Sequence, residues 1–142
     1  AGRGHAEMVR LLAELGAGVK TPDNNGATPV FFAALNGHVE VVRVLAELGA
    51  CVKTPNNTGA TPVFVAALNG HTETARVLAE LGACVKTPDK NGITPVFIAA
   101  GRGHEEVVRV LAELGACVKT PDNDDGFTPV FVAAHEGHAE TV

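Results

Sequence analysis

Five of the six histidines, His5, His38, His71, His104 and His138, and the three cysteines, Cys51, Cys84 and Cys117, are the side chains of this 142-residue chain best suited to hold a metal or attack an electrophile. Both sets recur on a ladder: 33 residues separate His5, His38, His71 and His104 in turn, and 33 separate the cysteines. A zinc ion needs its ligands about 2 Å away, and a disulfide needs Cα atoms within about 7 Å. Side chains that occur once per packed helical unit sit roughly 8–10 Å from their counterparts. The ladder therefore predicts histidines at helix starts and structural, unpaired cysteines. No metal and no cofactor is expected, and all three thiols should titrate after unfolding without reductant.

The remaining chemical motifs are weaker. HEGHAE at His135 falls short of the HExxH zinc-protease pattern, because Ala139 stands where the second histidine belongs. DNDDG at Asp122 lacks the alternating oxygen ligands and closing glutamate of a calcium loop. GRGH at Gly101 has no preceding strand and no Gly-Lys-Ser/Thr, so it is not a phosphate loop. The chain contains no serine, which excludes a serine nucleophile, and the ladder gives no reason for a cysteine to meet a histidine as base. No enzyme is expected.

The elements that carry these residues come from a repeat. TPVFFAALNGHVEVVRVLAELGACVKTPNNTGA begins at Thr28, and near-identical copies begin at Thr61 and Thr94, with a fourth opening at Thr128. Gly26, Gly59 and Gly92 lie 33 residues apart, and Gly126 follows after 34 because DNDDG carries one extra residue. A period of this length means stacked supersecondary units. In each, Thr28 is placed to cap a helix that starts at Pro29, where the missing N–H costs nothing. Asn36-Gly37 ends that helix, and His38 leads into a second one. There Val41, Val42, Leu45 and Leu48 form one apolar face, opposite Glu40, Arg43 and Glu47. Gly49 closes it, and ACVKTPNNTG reads as an extended, hairpin-like arm with a tight turn.

This organisation predicts a single all-α solenoid domain over residues 1–142. Its parts are a partial repeat 1–25, full repeats 26–58, 59–91 and 92–125, and a partial repeat 126–142. A net charge of −5 without a basic cluster argues against nucleic-acid binding and against anionic membranes. The longest apolar runs fall far short of the roughly 20 residues that span a bilayer, and AGRGHAEMVR does not have the form of a signal peptide. Reduced cysteines fit a reducing, intracellular setting, the cytoplasm foremost.

GATPVFFAA at Gly26, GH at Gly37 and VVRVLAELGA at Val41 resemble the signature of the ankyrin repeat family, and the resemblance covers the entire chain. It implies a helix-turn-helix stack with projecting arms and a concave surface that binds another protein. Two departures mark this chain. Phe31, Phe64, Phe97 and Phe131 stand where the family carries a histidine after TP-L, so packing must replace that side chain's hydrogen bonds. Cys51 and Lys53, repeated as Cys84 and Lys86 and as Cys117 and Lys119, replace the usual Asp and Asn of the arm.

Binding specificity is expected where the units differ. The arm tips read Asn24-Asn25, Asn57-Thr58, Lys90-Asn91 and Asn123-Asp124-Asp125. The residue after the turn glycine changes from Ala27 and Ala60 to Ile93 and Phe127, and the end of the first helix from Leu35-Asn36 to Gly101-Arg102 and His135-Glu136. Arginine and aromatic side chains dominate binding hot spots. The expected partner-binding set is therefore Ile93, Arg102, Phe127 and His135, with Lys90 and Asp125 on the rim. The bland alternative is neutral drift on a solvated face, and for Lys20, Lys53, Lys86 and Lys119 a solvated arm is preferred over an anionic docking stripe. Two other functions fit the repeat: a targeting arm or fragment of a larger protein or enzyme, and a self-assembling or designed array that associates end to end, since neither end shows a polar cap. Thr74-Ala75, in place of the Val-Val of neighbouring units, marks a weak joint.

Overall fold

The computed structural model of the protein describes residues 2–116 and 128–137, with side-chain environments from His5 onward. The helices are α1 (Gly2–Glu14), α2 (Pro29–Leu35), α3 (Val39–Glu47), α4 (Pro62–Leu68), α5 (Thr72–Glu80), α6 (Pro95–Gly101), α7 (Glu105–Glu113) and α8 (Pro129–His135), and no strand occurs among the described residues. The short first helices α2, α4, α6 and α8 stack on one another in order. The second helices α1, α3, α5 and α7 form a parallel row behind them, and α3, α5 and α7 each pack on the first helix of their own unit.

Seven-residue helices such as α2 are far below the length at which a helix holds by itself in water. They persist because their ends are satisfied and one side is buried. Thr28, Thr61, Thr94 and Thr128 each accept the backbone N–H three residues on, at 3.2 to 3.3 Å, and proline opens each helix as expected. The paired alanines bring the rows close together: Ala34, Ala66, Ala67 and Ala99 have no exposed surface. Phe31, Phe64 and Phe97, the residues in place of the family's histidine, are 6, 7 and 7% exposed, so their position is filled by packing.

The second helices bury more than a single stripe. Val41, Val42, Val44 and Leu45 are all buried in α3, whereas Leu48 is the half-buried C-cap. The face is wider than expected because the helix is wedged between its own first helix and the next unit. At the same place α5 carries Thr74 and Ala75, 1 and 0% exposed. The smaller side chains thus sit in the core, where lost apolar volume costs on the order of 1–3 kcal/mol. Since a linear stack sums its stability locally, amide hydrogen exchange is expected to be faster across α5 than across α3. Equal or slower exchange in α5 would remove the weak joint. Val108 of α7 is itself half-buried, so α3 is the sharper reference.

Candidate protein-interaction surface

The histidine ladder is built into the seams between units. His38, His71 and His104 occupy the N-cap positions of α3, α5 and α7, yet none caps through its side chain. Instead His71 Nε2 lies 3.0 Å from the Leu35 carbonyl, and His104 Nε2 lies 3.0 Å from the Leu68 carbonyl, each in the preceding unit. A carbonyl only accepts, so Nε2 carries the proton and donates. Asn69 Nδ2 donates to the same Leu35 oxygen at 2.9 Å. Facing rings of His5 and His38 meet edge-on, their centroids 5.6 Å apart. Among the described residues no group of three His, Cys, Asp or Glu side chains could share a metal ion; His138 lies outside them.

Cys51 and Cys84 are unpaired and exposed on the arms, so they are not core side chains; Cys117 lies outside the described residues. The Lys53 N–H donates to Cys51 Sγ at 3.5 Å. The Thr54 hydroxyl, followed by that N–H, holds the Cys51 thiol below the ordinary thiol range. For Cys84 the Lys86 N–H contributes most and the Thr87 hydroxyl next. Hydrogen bonds to sulfur favour the thiolate, the reacting species. Alkylation by iodoacetamide is therefore expected to reach its half-maximal rate at lower pH in the folded than in the unfolded protein. Thr54→Val together with Thr87→Val should narrow the gap between the two profiles without closing it, since the backbone N–H donors remain; coincident profiles in the unsubstituted protein would refute the assignment.

What orders the arm is a residue type that the motif reading passed over. Asp23 Oδ1 accepts from the N–H groups of Asn25 and Ala27, both at 2.9 Å, while the Asp23 N–H donates to the Ala27 carbonyl. Asn56 does the same for Thr58 and Ala60, and Asp89 for Asn91 and Ile93. These are Asx turns, and their signal was the Asp or Asn that follows every Thr-Pro in the arms. Successive arms then join directly: the Asn57 N–H donates to the Asn25 carbonyl at 2.9 Å, and the Lys90 N–H to the Thr58 carbonyl at 3.1 Å. Replacing the family's Asp and Asn by Cys51 and Lys53 leaves this bonding intact, because it is carried elsewhere in the arm.

The expected partner-binding residues fall into two groups. Lys90 is exposed at an arm tip, and Ile93 behind it is half-buried and packs against the core, more enclosed than a residue after a turn glycine suggested. Arg102 and His135 sit at the ends of first helices, Arg102 as the C-cap of α6 and His135 as the last residue of α8. Arg102 is exposed beside an open cleft lined by Phe97, Ile98, Gly101, Val132 and Glu136. It holds the position of Asn69, but among the described residues it makes no inter-unit bond and has no ion-pair partner. His135 Nδ1 is 3.2 Å from Glu136 Oε1, and its ring stacks on Phe131 at 6.5 Å. Asp125 and Phe127 lie outside the described residues.

On the opposite side the charge ladder forms only in part. Arg10 reaches Glu47 at 2.9 Å and Arg43 reaches Glu80 at 3.8 Å, both across units. Arg76 and Arg109 turn back to Glu73, and to Glu105 and Glu106, in their own helices. Exposed pairs of this kind contribute about 0–1 kcal/mol each.

No helix among the described residues is long and apolar enough to cross a membrane. The family model described as "Ankyrin repeats (3 copies)" matches residues 1–89 and 84–142. No individual curated protein matches the chain. With both rows of helices, the capping threonines and the inter-unit histidines in register along the chain, the protein belongs to the ankyrin-repeat family, whose repeats generally serve as non-catalytic protein–protein interaction modules.

Proposed function

We propose that this protein is a non-catalytic scaffold, one domain over residues 1–142, that binds a partner protein on the concave face formed by its arms and first helices. The partner contacts Ile93, Arg102, Phe127 and His135, with Lys90 and Asp125 at the rim. The observation that carries this reading is Arg102. Where the preceding unit spends an asparagine on the seam between units, this unit offers an exposed guanidinium beside an apolar cleft that contains Phe97, Ile98 and Val132. Arginine at the edge of an apolar patch is a typical hot spot. The stack holds it and its neighbours on fixed rungs, so little ordering entropy is lost on binding. Free, exposed thiols on the arms suit a reducing intracellular setting such as the cytoplasm.

Substituting Arg102 and Phe127 together by alanine is expected to weaken partner binding by about 2 kcal/mol while leaving the unfolding midpoint nearly unchanged. Titration calorimetry with a partner identified by co-purification reads this out. A partner that tolerates the double change but is lost on substitution of Arg43 and Arg76 would place binding on the outer helical row instead.

A further inference from the structure

The helices α2 and α4 end on a leucine, Leu35 and Leu68, each half-buried, whereas α6 ends on Gly101. A Cβ built on Gly101 would lie 3.3 Å from Val132 Cγ2 of α8, so a side chain at this position points into the seam between the two helices. In α2 the leucine at this place packs against the core. In α6 nothing fills it, and the seam opens into the cleft of about 370 Å³ lined by Phe97, Ile98, Gly101, Arg102, Val132 and Glu136. What opens the cleft is the side chain missing between its two walls.

The same unit also changes the charge at this point. Asn69 is spent on the Leu35 carbonyl, but Arg102 in its place is exposed. Glu136, the one carboxylate of the cleft, lies 3.2 Å from His135 Nδ1 and forms no ion pair with Arg102. A free guanidinium presents a fork of N–H donors that matches a carboxylate. We infer that the α6–α8 cleft takes an acidic segment of the partner protein, in which a leucine-sized aliphatic side chain fills the place held by Leu35 and Leu68 in the other units and an adjacent Asp or Glu pairs with Arg102. This rests on the binding face proposed above and names the partner's chemistry there. The two halves support each other, since an ion pair left in water contributes little and the apolar side chain beside it excludes that water.

A phage-displayed library of random peptides, selected against the full chain, tests this. The enriched peptides are expected to share an aliphatic residue next to an Asp or Glu. In fluorescence anisotropy a synthetic copy of the best of them should lose about tenfold or more in affinity with Gly101→Leu and with Arg102→Glu. Gly101→Leu restores the residue that α2 and α4 carry, and circular dichroism checks both folds. Replacing the peptide's acid by lysine should weaken its binding to the unsubstituted chain and strengthen its binding to Arg102→Glu, a charge exchange that decides the matter by itself should Gly101→Leu not fold. Peptides with a neutral or basic neighbour to the aliphatic residue that are nonetheless lost on Gly101→Leu overturn the acidic partner and leave the binding face in place. Peptides indifferent to both changes overturn the inference, and if they are lost on substitution of Arg43 and Arg76 the face falls with it. A selection that enriches no peptide overturns the inference as well.

Discussion

Leu78→Ala is expected to destabilise the protein by about 2–5 kcal/mol, while Leu12→Ala, at the same position of the repeat, changes stability by less than about 1 kcal/mol. Leu78 has no exposed surface and sits in the middle of α5, beside Thr74 and Ala75, which already fill their unit sparingly. Rigid neighbours on both sides, α3 and α7, limit how far the structure collapses into the space left behind. Leu12 has lost nearly half of that cover, so its removal opens no enclosed cavity. Urea unfolding of the two variants measures the contrast. Equal losses would show that burial in the stack does not separate the two positions.

The second large effect is expected at Gly70. Its φ is +76°, a conformation that costs a residue with a side chain about 1–2 kcal/mol. A Cβ built there would also lie 2.8 Å from His104 Nδ1 and 2.9 Å from its Cε1. The ring cannot retreat without breaking its Nε2 bond to the Leu68 carbonyl, which contributes about 0.5–1.5 kcal/mol. Gly70→Ala should therefore cost about 1.5–3.5 kcal/mol by denaturant unfolding. The two contributions separate in a double-mutant cycle: with His104→Ala already present the clash is gone, so Gly70→Ala should cost only its backbone share. Strict additivity would mean that the ring is not what the glycine makes room for. Gly37 repeats the arrangement, with His71 Nδ1 2.7 Å from the position of its Cβ, so the Gly-His pair is a joint between units as well as a helix end.

Much of this architecture was legible in the chain alone, because it is set within a few residues. A threonine before a proline caps a helix wherever it stands, an Asn-Gly ends one, and valines and leucines at helical spacing mark a face; repeated at 33 residues, these signals name the elements, their order and the family. The stack alone decided what depends on neighbours a whole unit away. Leu12 and Leu45 are the same letter at the same place in the repeat, yet one is 46 and the other 2% exposed, since burial belongs to what packs on a residue rather than to the residue. Arg43 pairs across a unit boundary and Arg76 within its own helix, a choice between exposed partners that differ too little in energy for sequence spacing to settle. The side-chain acceptors of His71 and His104 lie 36 residues back along the chain, beyond the reach of any local pattern. Ile93 follows a turn glycine as Ala27 and Ala60 do, and only the packing of its larger side chain against the core leaves it half-buried, whereas Arg102, in an asparagine's place, is exposed at the end of α6.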